Sequence, residues 1–210
     1  MPVIFDMDGV LADSQKIHSR IESEMLRELF GIEITPEEIT RRFSGRSLRD
    51  QFAELHRDRG LPYTHDPALS DLKAERFMAC VDEFAPIEGT IERLESLYGL
   101  TPLGVASASR PQVVDLVLTT IGIKRRFDAF ASSKEVAQGK PAPDVFLLAA
   151  ARMGVNPRDC IVVEDGVSGM IGARAAGMRC VALVSDDRTD YPADVIVRDL
   201  RELPKEYFLQ

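Results

Sequence analysis

Residues 3–10 read Val3-Ile4-Phe5-Asp6-Met7-Asp8-Gly9-Val10. Three apolar residues stopped by an acid and a turn glycine read as a short buried strand that ends in a loop. The seventy residues after it give that strand its place. From Gln15 to Phe84 charged residues dominate, apolar residues recur at helical spacing (Ile17, Ile21, Met25, Leu29), and no β-branched run interrupts them. Four helices are predicted there. Their punctuation is the capping box Thr35-Pro36-Glu37-Glu38, a second N-terminal signal at Ser47-Leu48-Arg49-Asp50, and stop signals at Gly31, Gly45 and Gly60. A lone strand before so long a helical stretch finds no partner until the texture changes again after Pro86. Beyond it, short apolar runs (103–106, 129–131, 161–163, 181–184 and 195–197) alternate with amphipathic segments such as Gln112 to Ile121 and Val145 to Met153. Strand and helix alternating in this way predict an α/β fold, a parallel doubly wound sheet with right-handed crossovers, and the first strand belongs to it. The chain therefore reads as a Rossmann-like core, residues 1–14 and 85–210, with residues 15–84 inserted as a helical cap.

The composition sets the outer bounds. A chain of 210 residues, 45% apolar and 29% charged, has the make-up of an ordinary globular protein and excludes collagen-like and largely disordered readings. Its net charge of −8 repels nucleic acid and anionic lipid, so neither is expected as a partner. The apolar run from Val145 to Ala151 is far too short to span a bilayer, and the N-terminus meets an acid after five residues with no basic stretch before it. Cys80, Cys160 and Cys180 lie far apart with no Cys-x-x-Cys pair, the pattern of reduced thiols in a cytoplasm. An anionic substrate would have to be drawn in locally, against the overall field.

In open parallel sheets ligands sit outside the carboxyl ends of the strands. Asp6 and Asp8, two residues apart at a strand end, are expected to project the same way, which repulsion permits only if a cation sits there or one of them is protonated. Oxygen ligands without a softer donor nearby suit Mg²⁺. A second acidic pair, Glu164-Asp165, ends another strand and can complete the site. Ser107-Ala108-Ser109-Arg110 ends a third, offering hydroxyl and backbone donors before a helix N-terminus. Lys140-Pro141-Ala142-Pro143 places a lysine just before a helix. Each element alone is explicable as a solvated turn, a helix cap or a surface charge. Four of them at or just after predicted strands are not explained that way.

Asp6-x-Asp8-Gly9-Val10, Ser107, Lys140-Pro141 and Glu164-Asp165 resemble, in order and spacing, the four motifs of the haloacid dehalogenase superfamily, in particular its small-cap phosphatase and β-phosphoglucomutase-like branch. The resemblance covers essentially the whole chain and implies a role for each residue. Asp6 would attack a phosphomonoester and become an aspartyl phosphate, and Asp8 would serve as general acid and base. Ser107 and Lys140 would hold the phosphoryl oxygens, with Lys140 helping to keep Asp6 ionised. Asp165 would ligate Mg²⁺ together with Asp6 and the backbone carbonyl of Asp8, and Glu164 would fix the metal's outer shell. Substrate contacts are implied for Ser14, His18, Arg46 or Arg49, and Lys73 in the cap, and for Ala108 in the core. The position matching the mutase's cap arginine is Leu48, with Arg49 one step beyond.

The expected activity is thus a Mg²⁺-dependent phosphatase acting on a small phosphorylated metabolite such as a sugar phosphate, in a monomer or weak dimer. The nearest alternative is a phosphomutase, in which a sugar hydroxyl attacks the aspartyl phosphate. A phospho-receiver module shares the chemistry but predicts a shorter chain, no insertion, and its acceptor on a middle strand. Nucleotide-dependent oxidoreductases and serine hydrolases are excluded for want of Gly-x-Gly-x-x-Gly after a strand and of Gly-x-Ser-x-Gly.

Overall fold

The computed structural model describes residues 1–43 and 46–209, so the stop signal expected at Gly45 lies outside the described residues. Strand β1 (Val3–Phe5) leads into α1 (Gln15–Phe30), α2 (Pro36–Phe43), α3 (Leu48–Asp58) and α4 (Ala68–Met78). The chain continues with α5 (Glu88–Leu97), β2 (Leu103–Ser107), α6 (Pro111–Thr120), β3 (Ala129–Ser132) and α7 (Asp144–Met153). It ends with β4 (Ile161–Glu164), α8 (Val167–Ala175), β5 (Arg179–Leu183) and β6 (Val195–Val197). Two compact units result, Ser14–Glu83 and the pair of segments Met1–Asp13 and Phe84–Gln210.

In the helical unit the predicted punctuation is in place. The Thr35 hydroxyl accepts from the Glu38 amide at 3.2 Å, that of Ser47 accepts from the Asp50 amide at 3.2 Å, and Gly31 ends α1 in the left-handed region at φ 64°. Ile17, Ile21 and Met25 are buried as their spacing requires, but Leu29 is exposed. The reason is geometric. Steps of four residues turn about 400°, so each one drifts about 40° round the helix, and after three steps the stripe has left the buried face. Leu26 takes the place on that face.

In the other unit six strands form one sheet in the order β3-β2-β1-β4-β5-β6, with every neighbouring pair parallel. β1 is central, Val3 standing opposite both Leu103 and Ile161 and Phe5 opposite both Val105 and Val163. Alternate residues serve opposite faces. Ile4, Ala106, Val162 and Ala182 pack with Val145, Phe146, Ala149 and Met170 of α7 and α8. Phe5, on the other parity, meets Phe127 edge-on with ring centroids 6.1 Å apart. The chain runs outward from β1 to β2 and β3, then crosses back to lay β4 against the other side of β1. That reversal makes the carboxyl ends of β1 and β4 the switch point of the sheet, the position at which open parallel sheets bind their ligands. None of the described helices is long and apolar enough to cross a membrane.

Candidate active site

Asp6 follows β1 directly and its amide still donates to the Val163 carbonyl at 2.9 Å, so its side chain keeps the parity of Ile4 and faces α7 and α8. Glu164 closes β4 on the same parity. Into this position comes Lys140 from the segment that leads to α7. Its ammonium donates to Asp6 Oδ1 at 2.5 Å, to Glu164 Oε1 at 2.6 Å and to the Ala106 carbonyl at 3.1 Å, and it lies 5.0 Å from the centre of the Phe146 ring. All three ammonium protons thus have protein acceptors. The three side chains are deeply enclosed, Lys140 7%, Asp6 9% and Glu164 3% exposed.

Asp165 adds a third carboxylate. Asp6, Glu164 and Asp165 each bring an oxygen within 4.8 Å of the others. The electrostatics come from burial and from this crowding. Burial, reinforced by Glu164 and Asp8 and opposed by Lys140, pushes the Asp6 carboxyl up to about 7. Burial, then the charges of Glu164 and Asp6, holds Asp165 well above the ordinary aspartate value. Burial opposes the Lys140 charge, but Asp6 and Glu164 outweigh it and hold the ammonium above the usual lysine range. Two buried carboxylates and one half-buried one cluster beside one ammonium, and the donors are all oxygen. Such a set fits a hard divalent cation such as Mg²⁺.

Asp8 is the second acid of the first motif. The chain leaves β geometry after Phe5 and turns at Gly9, whose φ is +82° and whose amide donates to the Ala12 carbonyl at 2.9 Å. The Asp8 charge acts on both Asp6 and Asp165, raising each. Asp8 Oδ2 accepts from the Ser109 hydroxyl at 3.1 Å. Its implied metal contact, through the backbone carbonyl, does not depend on that side chain. Ser107 is fully buried, and its hydroxyl oxygen accepts from the Ser109 amide at 3.0 Å. Ala108 between them is exposed.

Two glycines matter here in ways their spacing does not announce. A Cβ on Gly9 would stand 2.1 Å from Asp165 Oδ2, and one on Gly169 only 1.7 Å from Glu164 Oε1. Gly169 lies within α8, where alanine ordinarily stabilises by about 0.5–1 kcal/mol. Glu164 has no room to yield, since Lys140 holds one oxygen and the Gly166 amide the other at 2.9 Å. Gly169→Ala is therefore expected to reverse the usual sign and lower Tm by about 4 °C or more in a thermal scan. An unchanged or raised Tm would show that Glu164 is not fixed by these contacts.

The cap candidates all lie in the helical unit. Ser14 precedes α1, and its carbonyl accepts from the His18 amide at 3.0 Å. His18 stacks on Phe77 at 4.1 Å, with the rings 5° from parallel. Lys73 of α4 forms an ion pair with the buried Glu22 of α1. Arg46 pairs with Glu54 at 2.7 Å and covers the Phe43 ring, while Arg49 is exposed on the first turn of α3. Packing thus brings His18 and Lys73 to one pair of helices, α1 and α4, and leaves Arg46 and Arg49 at the start of α3.

Comparison with known proteins identifies relatives along most of the chain. A model of the haloacid dehalogenase-like hydrolases matches residues 3–183. Hexitol phosphatase B of Escherichia coli (strain K12) is 32% identical over 217 residues, covering 97% of this chain and 94% of the relative. Fructose-1-phosphate phosphatase YqaB of the same organism is 32% identical over 179 residues, covering 85% and 94%. The crystal structure of β-phosphoglucomutase from Clostridium difficile superposes with a TM-score of 0.82 at 25% identity, covering 98% of this chain and 94% of that one.

Proposed function

Because the chain belongs to the haloacid dehalogenase-like hydrolase family and is a phosphoric monoester hydrolase, we propose a Mg²⁺-dependent phosphatase of small sugar phosphates that works through an aspartyl phosphate on Asp6. The observation that carries this reading is the enclosed Asp6–Lys140–Glu164 arrangement at the carboxyl ends of β1 and β4, with Asp165 beside it.

Asp6 attacks phosphorus through a carboxylate oxygen, and the bond from phosphorus to the ester oxygen breaks. Lys140 favours the reactive, ionised form of Asp6 and offsets phosphoryl charge. Asp8 gives a proton to the departing alkoxide, then takes one from the water that attacks the aspartyl phosphate, releasing phosphate and restoring Asp6. The Ser107 hydroxyl has its own proton to offer a phosphoryl oxygen. Asp6, Asp165 and the Asp8 carbonyl would hold the metal, with Glu164 behind them. Mg²⁺ supplies charge that reduces the repulsion between carboxylate and phosphate. In the helical unit, Ser14, His18, Lys73 and Arg46 or Arg49 are the proposed discriminators among sugars, Lys73 being oriented by Glu22. Cys80, Cys160 and Cys180 are free thiols, which suits a reducing cytoplasm.

The test is phosphate release, with and without Mg²⁺, from a panel of hexitol phosphates, fructose 1-phosphate and glucose phosphates. Mg²⁺-dependent release from at least one member is expected. No release from any member overturns the reading, and interconversion of glucose phosphates without release assigns the mutase reaction of the β-phosphoglucomutase that this fold resembles.

A further inference from the structure

We propose that Ser109 is a positioning residue that orients the Asp8 carboxylate for proton transfer, and that Ser132 holds Ser109 in place. The inference rests on the acid–base reading of Asp8. A serine before α6 would ordinarily be read as its cap, but the N-cap is Arg110, so the Ser109 hydroxyl is not engaged there. It donates to Asp8 Oδ2 at 3.1 Å, across 101 residues of sequence.

The backbone of Ser109 is held at both polar ends by hydroxyls from neighbouring strands. Its amide donates to Ser107 Oγ at 3.0 Å, at the end of β2, and its carbonyl accepts from Ser132 Oγ at 2.7 Å, at the end of β3. Ser132 is itself buried and doubly tied. Its hydroxyl oxygen accepts from the Lys134 amide at 3.0 Å, and its amide donates to Glu135 Oε2 at 2.9 Å. Asp8 lies on a half-buried turn, where a carboxylate has two rotatable bonds. Proton transfer to a leaving oxygen requires one orientation within hydrogen-bond reach, and a donor whose backbone is fixed at two points selects it.

The test separates proton donation from the rest of the site. p-Nitrophenolate leaves without protonation, whereas the alkoxide of a sugar phosphate does not. Single-turnover release of the leaving group, with enzyme in excess, is measured for p-nitrophenyl phosphate and for whichever sugar or hexitol phosphate is turned over fastest. Ser109→Ala is expected to slow the alkyl ester about 10-fold and the aryl ester less than about two-fold. Ser109→Thr, which keeps the hydroxyl, recovers most of that loss, and Ser132→Ala shifts the same ratio by a smaller factor. Asp8→Asn is the reference for the underlying reading. If Asp8→Asn slows both esters equally, the acid role of Asp8 fails. If Asp8→Asn discriminates while Ser109→Ala slows both equally, or neither, the positioning role alone is overturned.

Discussion

Asp6→Asn is expected to abolish turnover, lowering kcat on the order of 10³-fold or more, while the protein stays folded. The amide is nearly isosteric and its oxygen still accepts from Lys140, which keeps its bonds to Glu164 and the Ala106 carbonyl. What it lacks is the anionic oxygen that attacks phosphorus. Rapid-quench mass spectrometry should find phosphorylated wild-type protein during turnover and none in the variant. Because Asn also removes one of three clustered carboxylates, the rise in Tm on adding Mg²⁺ should shrink. A variant that retains full activity would assign the nucleophile elsewhere.

The second large effect is on stability, and it couples pH to the metal. The Asp6 carboxyl is pushed from an ordinary 3.8 to about 7, and Asp165 is raised in the same direction. A raised carboxyl favours the folded state where it is protonated, so this contribution is complete below about pH 4 and is lost as pH rises through 7. For Asp6 the upper bound is about 4 kcal/mol at 1.36 kcal/mol per unit. Lys140 is also raised, but from 10.5, so it contributes nothing variable in this window. Metal-free protein in EDTA is therefore expected to lose about 5 °C or more of Tm between pH 5 and 8 relative to protein in Mg²⁺. The difference between the two conditions cancels the surface carboxylates, among them Glu54 and Glu135, which are held low by arginine partners and titrate below this range. A Mg²⁺ effect independent of pH would show that the cation does not bind among these carboxylates.

Much of this site was legible in the order of residues. The strand ending in Asp6, the acidic pair after Ile161-Val162-Val163 and the lysine before a helix are local patterns, and topology then placed the first two at the switch point. The contacts of Asp8, Gly169 and Leu29 were not legible. Asp8 meets a serine 101 positions away, Leu29 drifted off its face because period four is not period 3.6, and Gly169 reads as an ordinary helical residue until Glu164 is seen against it.

The sequence by itself determined the alternation of elements, the helical insertion and the identity of the charged groups, because each depends on residues within a turn or two of one another. Only the tertiary structure decided which groups meet. Lys140 reaches Asp6 across 134 positions and Glu164 across 24, and Ser109 reaches Asp8 across 101. Such meetings depend on strand order and parity in a packed sheet, where a one-residue shift would turn Asp6 or Glu164 to the opposite face and leave the lysine without its partners.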